Sequence, residues 1–133
     1  MLHNYHTHTF RNHHTIGTER EYIESAIKNG FRTLGFSEHA PYRFPDGYIS
    51  YFHMFPEDLE NYIQTLLALK AEYAGRIEIL IGYEAEFYPR FFLTIFSGVS
   101  RSIPLTICCS ASTISTMRSM APMSTNRRTI PKY

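Results

Sequence analysis

The residues at the start of the chain whose types and spacing could do chemistry are His6 and His8. The apolar run beginning at Met1-Leu2 predicts an extended strand, in which residues two positions apart lie on the same side. The two imidazoles therefore point into one volume at the end of this strand. A lone histidine there is more often a structural residue. The pair at this spacing, with His14 close behind, favours metal ligation.

Two helices are predicted from signals at their N-termini. A buried strand over 2–8 and a polar loop lead to the first helix, which Thr18 can cap. Glu21 lies three residues further on and completes a capping box. An aromatic-rich loop over 40–55 leads to the second helix, of which Pro56 is the predicted first residue.

Two further strands are predicted, each followed by residues that could bind a metal. The apolar segment 33–37 delivers His39 at its end, and the segment 77–83 delivers Glu84 or Glu86. Strand, helix, strand, helix, strand is typical of parallel β/α repeats, so we predict an α/β fold. Chemistry gathers at the carboxyl ends of parallel strands, and three strands that obey this rule strengthen the prediction of a metal site.

Composition restricts the class of protein. The chain of 133 residues is long enough for one domain and contains no run that could span a membrane. Its N-terminus lacks the features of a secretory signal. The two cysteines are adjacent, Cys108-Cys109, which excludes a disulfide framework and a Cys-x-x-Cys pair. We therefore expect a cytoplasmic location.

The charges divide the chain into two unlike parts. Residues 1–86 hold all twelve acidic side chains and seven of the thirteen basic ones, whereas residues 87–133 hold six basic side chains and no acidic one. The first part therefore offers no basic surface for nucleic acid. The abrupt change in composition indicates that the two parts differ in origin or in structure.

The motifs resemble the polymerase-and-histidinol-phosphatase superfamily of metal-dependent phosphoesterases, and its histidinol-phosphatase branch in particular. The resemblance covers about residues 1–92 and rests on four segments in register: Tyr5-His6-Thr7-His8-Thr9, His14 with Gly17-Thr18, Gly35-Phe36-Ser37-Glu38-His39-Ala40-Pro41 and Gly82-Tyr83-Glu84-Ala85-Glu86. It implies the N-terminal portion of a distorted, TIM-like (β/α)7 barrel that binds up to three divalent metal ions.

The resemblance also implies roles for individual residues. His6 and His8 would hold one metal, His14 and His39 would serve others, and Glu84 would bridge two ions. Zinc, manganese and iron all suit this mixture of imidazole and carboxylate. No catalytic side chain is identified, because the expected nucleophile is a hydroxide on the metal.

Four more residues near these motifs are assigned roles other than metal ligation. Glu38 and Glu86 are read as supporting or structural residues. Arg11 and Arg43 are candidate contacts to phosphate, although as surface arginines on loops they could equally be solvated.

The implied function is hydrolysis of a small phosphate monoester, L-histidinol phosphate, to L-histidinol and phosphate in histidine biosynthesis. One alternative is a related phosphoesterase that acts on a nucleotide or a nucleic-acid end. Another is a metal-binding remnant without catalysis. We expect neither a nucleic acid nor a membrane as a partner.

The second part of the chain departs from the family. No histidine follows His53 and no aspartate follows Asp58, although the family uses later strands to supply more ligands. Residues 93–133 show no sustained periodicity. We predict a family-like domain over 1–92 and an atypical tail over 93–133 that is either disordered or translated out of frame. Activity should be impaired, and the third strand should have an open edge unless the tail covers it.

Overall fold

The structure is a computed structural model that describes residues 1–48, 50–86 and 107–110. In these ranges four parallel strands form one sheet in the order β1-β2-β3-β4, with bounds β1 Leu2–Thr7, β2 Phe31–His39, β3 Glu78–Ala85 and β4 Ile107–Ser110. Between β1 and β2 the chain forms helix α1, Glu19–Lys28, and between β2 and β3 it forms helix α2, Leu59–Glu72. The predicted α/β class with parallel β/α repeats is confirmed.

The helix boundaries follow the predicted signals closely. The Thr18 hydroxyl accepts the N–H of Glu21 at 3.3 Å, and the Glu21 carboxylate accepts the N–H of Thr18 at 2.6 Å. The capping box is therefore confirmed. Pro56 begins a 3₁₀ turn, Pro56–Asp58, that leads directly into α2, so the second helix itself begins later than predicted.

The core lies where the helices pack on the two middle strands. Phe36 of β2 and Ile79 of β3 are buried, as are Tyr62 and Leu66 of α2. Because β2 lies between β1 and β3, its residues 33–38 are all buried. The register between β2 and β3 pairs His39 with Glu84, which brings their two strand ends side by side.

β1 is not the buried strand that the sequence predicts. Leu2 is 52% exposed and Tyr5 is 51% exposed. Within the described residues β1 pairs only with β2, and the register shifts between Asn4 and Thr7. An apolar run is buried only where neighbours cover it, and an edge strand has a neighbour on one side alone.

The edge of β3 is covered by a segment of the predicted tail. β4 pairs in parallel with β3, with Ile107 opposite Gly82 at one end and Ser110 opposite Ala85 at the other. The rest of the predicted tail lies outside the described residues, so its division from 1–92 and its translation out of frame stay predictions. Neither helix of the described part combines the length and apolar character that a membrane crossing requires.

Candidate metal centre

The carboxyl ends of β1 and β3 bring two imidazoles and a carboxylate together. His6 Nε2 lies 2.9 Å from His8 Nε2 and 3.1 Å from Glu84 Oε2. His8 Nε2 lies 3.2 Å from the same carboxylate oxygen. Two imidazole nitrogens and a carboxylate oxygen, all within 4.8 Å of one another, form a donor set that fits a first-row divalent cation.

Two more imidazoles lie at the margin of this group. His39 Nδ1 is 3.5 Å from Glu84 Oε2, and the centres of the His39 and His8 rings are 4.5 Å apart. The His14 ring lies 5.8 Å from that of His8 and 5.5 Å from that of His39. All five residues predicted as metal ligands therefore surround one small volume, with His6, His8 and Glu84 at its centre.

A buried carboxylate lies behind His8. Glu38 is fully buried at the end of β2, where one of its oxygens accepts the backbone N–H of Thr9 at 2.8 Å and the Thr9 hydroxyl at 2.5 Å. Its other oxygen lies 3.3 Å from His8 Nδ1. A carboxylate only accepts hydrogen bonds, so the neutral ring of His8 bonds to the buried Glu38 in the tautomer that carries the proton on Nδ1. Nε2 is then left with a lone pair on the side of Glu84.

A second buried carboxylate holds His39. Glu86 Oε1 is 2.9 Å from His39 Nδ1, and Glu86 Oε2 is 3.0 Å from His53 Nε2. Burial would raise the pKa of Glu86, but the hydrogen bonds from His39 and His53 outweigh it and lower the pKa to about 2. Burial alone would lower the pKa of His39. Its hydrogen bond to Glu86 and the charges of the nearby carboxylates outweigh burial, so the pKa is raised.

His53 is the residue of this network that sequence reasoning missed. The residue is 8% exposed, and its ring is bonded to Glu86 across 33 residues of sequence. It lies in a loop without periodicity, so neither spacing nor a strand end marks it. The readings of Glu38 and Glu86 as supporting residues, by contrast, agree with their contacts to His8 and His39.

The two arginines proposed as phosphate contacts lie in different surroundings. Arg11 is 5% exposed, forms an ion pair with Glu19 and donates to Asn61 Oδ1 at 2.6 Å. Its reading as a surface arginine is therefore wrong, because these buried partners hold its guanidinium inside the fold. Arg43 is exposed and lies 3.3 Å from Glu57.

Two other histidines of the N-terminal segment lie away from the centre. The His13 ring packs on Phe55, with ring centres 4.5 Å apart. His3 Nδ1 is bonded to Thr33 Oγ1 at 3.0 Å. Neither residue belongs to the group formed by His6, His8 and Glu84.

A parallel β/α sheet with imidazoles and carboxylates clustered at the carboxyl ends of its strands defines a class of metal-binding α/β proteins. Residues 4–118 match the family model described as PHP domain. The chain belongs to the PHP domain family. This match extends beyond residue 92, the end of the motif resemblance, and includes β4.

Relatives and solved structures point to one branch of this family. The histidinol-phosphatase of Bacillus subtilis is 38% identical over 92 residues, which are 65% of this chain and 34% of that protein. A protein of Deinococcus radiodurans, described as a probable histidinol-phosphatase, is 38% identical over 84 residues, or 63% of this chain and 32% of that protein. This chain therefore spans about a third of the length of the curated relatives it matches.

A crystal structure gives the same result for the fold. The histidinol phosphate phosphatase of Lactococcus lactis, complexed with zinc, L-histidinol and phosphate, superposes with a TM-score of 0.65 at 27% identity. The superposition covers 81% of this chain and 38% of that one. The predicted likeness to the N-terminal portion of a TIM-like barrel is confirmed.

Proposed function

We propose that this chain contributes to a metal-dependent phosphomonoesterase whose substrate is L-histidinol phosphate, hydrolysed to L-histidinol and phosphate in histidine biosynthesis. The observation that supports it is the convergence of His6, His8 and Glu84 at the strand ends. The names of the relatives, and the zinc, L-histidinol and phosphate bound by the Lactococcus protein, favour this substrate over other phosphate esters. A cytoplasmic location suits such a role.

The residues of the centre would divide the work of holding cations. His6, His8 and Glu84 would hold one divalent ion, while His14 and His39 would serve others that share Glu84. Zinc is the first candidate because the Lactococcus protein contains it, with manganese and iron as alternatives. Such ions, when bound, make water more acidic and offset the charge of phosphoryl oxygens.

The remaining residues orient the ligands and the substrate. Glu38 and Glu86 keep the rings of His8 and His39 in fixed tautomers, because each accepts the proton on Nδ1. Arg43, which is exposed, is the candidate contact to phosphate, whereas the contacts of Arg11 assign it to the fold.

We expect the 133-residue chain by itself to turn over slowly or not at all. No histidine follows His53 and no aspartate follows Asp58, so later segments add no imidazole and no carboxylate of aspartate to the centre. A related phosphoesterase acting on nucleotides, and a metal-binding remnant without catalysis, remain the alternatives.

Metal analysis combined with phosphate release tests the proposal. The purified chain is loaded with zinc or manganese, and release from L-histidinol phosphate is compared with release from a nucleoside monophosphate. We expect bound metal and a slow, metal-dependent release that favours L-histidinol phosphate. Turnover of about 1–1000 per second would contradict the expected impairment.

Each other outcome selects a different reading. Preference for the nucleotide supports the related phosphoesterase. Bound metal without any release supports the remnant. A chain that binds no metal at all refutes the centre.

A further inference from the structure

The loop between β2 and α2 lines an open cavity that the metal centre does not use. Its volume is about 520 Å³, within the range of about 300–1000 Å³ typical of small-molecule sites. Aromatic rings form much of its wall: Phe44 and Tyr48 lie edge to face with centres 5.4 Å apart, and Tyr51 and Phe55 with centres 6.2 Å apart. A flat ring would find favourable stacking surfaces here.

Two of these wall residues are much more exposed than aromatic side chains usually are. Tyr48 is 59% exposed and Tyr51 is 73% exposed. Grouped apolar surface of this kind commonly marks a binding site. Met54, by contrast, lines the same cavity and is almost completely buried, so it can report on the interior.

His53 supplies a polar position in this apolar wall. It lines the cavity, and its Nε2 lies 3.0 Å from Glu86 Oε2. Its Nδ1 is buried and has no partner among the described residues. Because the proton is on Nε2, where the carboxylate accepts it, the neutral ring keeps a lone pair on Nδ1. A buried acceptor of this kind calls for a donor, which a ligand N–H would provide.

The cavity is next to the metal centre. Glu86 bonds both His53 and His39, whose ring centres are 5.6 Å apart. Three carbon atoms and one oxygen separate the ring of L-histidinol phosphate from its phosphorus, a span of about 6 Å. A ring held beside His53 would therefore leave the phosphate near the centre.

We propose that this cavity binds the alcohol part of the phosphate monoester through a planar heteroaromatic ring that carries an N–H. The ring stacks on the aromatic wall and donates its N–H to His53 Nδ1. This assignment rests on the proposed function, since it names the residues that select the organic part of the same substrate. A ring without an N–H leaves His53 unpaired and binds more weakly.

Titration of the 133-residue chain with two amino alcohols tests this selection in the absence of metal. L-histidinol carries the N–H, and L-phenylalaninol has a phenyl ring in its place. NMR of ¹³C-labelled methionine methyl groups follows binding at Met54, whose signal is assigned with M54L. We expect L-histidinol to shift the Met54 signal and to bind about tenfold more tightly than L-phenylalaninol, the value of one hydrogen bond.

A variant of His53 separates its two ring nitrogens. In H53Q the side-chain amide can still donate to Glu86, but the acceptor at Nδ1 is gone. We expect the preference for L-histidinol to disappear in H53Q. It should persist in the control H3Q, because among the described residues His3 is bonded to Thr33 and stacked on Tyr5, away from the cavity.

Two results would overturn the assignment: L-histidinol that leaves the Met54 signal unmoved, or L-phenylalaninol that binds wild type equally well. Both are measured without metal or turnover. A failed phosphatase assay would therefore refute the proposed function separately.

Discussion

The rings of His8 and His39 each have a buried carboxylate behind them, whereas the ring of His6 has none among the residues that the structure describes. Glu38 is fully buried behind His8, and Glu86 is 7% exposed behind His39. The His6 side chain is 48% exposed, and within the described part of the chain its ring contacts only His8 and Glu84. The fold thus orients one side of the centre before a cation binds, while the other side depends on its fellow ligands.

The order of the strands explains this difference. Glu38 belongs to β2, which lies between β1 and β3 and is therefore covered on both edges. His6 belongs to β1, the edge strand, in which Tyr5 and His6 are exposed and Thr7 is buried. Support for a ligand ring comes from buried groups with fixed positions, and an edge strand offers few of these.

Removing the charge of Glu84 should have the largest effect, because Glu84 is the carboxylate of the described residues that contacts both sides of the centre. It lies near His6, His8 and His39. We expect E84Q to lower zinc affinity by about 1000-fold or more, equivalent to about 4 kcal/mol, in calorimetric titration. The control is E60Q, which changes an exposed carboxylate bonded to Gln64. Zinc affinity that is equal in E84Q and wild type would remove Glu84 from the centre.

Removing the support behind His8 should have the next largest effect. The amide of E38Q can either donate or accept a hydrogen bond, so it no longer requires the proton of His8 to be on Nδ1. We expect zinc affinity to fall by about 10- to 100-fold, as for other groups that orient a metal-bound histidine. E57Q is the matched control, since Glu57 is exposed and pairs with Arg43. Unchanged affinity in a folded E38Q would show that the fold does not orient His8 through Glu38.

The sequence predicts the parts of this arrangement that depend on local spacing. The pair His6 and His8, the capping box of Thr18 and the strand that carries Glu84 all follow from residues close together in sequence. The rest depends on pairs that only the folded chain brings together. His53 meets Glu86, and Arg11 meets Asn61, through the packing of loop, helix and sheet, which no local period records.

Glu86 should stabilise the metal-free protein against acid. Its pKa is lowered from 4.5 to about 2 on folding, so the folded state binds this proton less readily than the unfolded state. The stabilisation is complete above about pH 4.5 and is lost as the pH falls towards 2. The pKa of His39 is raised above 6.5, so its contribution to stability is lost as the pH rises, outside this acid window.

Urea unfolding at several pH values measures this contribution. We expect the free energy of unfolding of wild type to fall by about 1–2 kcal/mol more than that of E86Q between pH 4.5 and 2, after allowance for solvent screening. E57Q should follow wild type. Parallel curves for wild type and E86Q would mean that Glu86 does not hold its two rings in the folded state.

The smallest predicted effect, below about 1 kcal/mol, is the preference of each histidine ring for one tautomer. This preference compares the two sides of the centre directly. In the metal-free protein, ¹⁵N NMR of the ring nitrogens distinguishes which one carries the proton. His8 should populate the Nδ1–H tautomer, because Glu38 accepts that proton, and His6 should populate the Nε2–H tautomer, because Glu84, the carboxylate near its ring in the described residues, lies 3.1 Å from Nε2. E38Q should make His8 behave like His6 and leave the His6 signals unchanged. A single Nδ1–H tautomer at His6 in wild type would mean that the edge strand orients its ligand as firmly as the interior does.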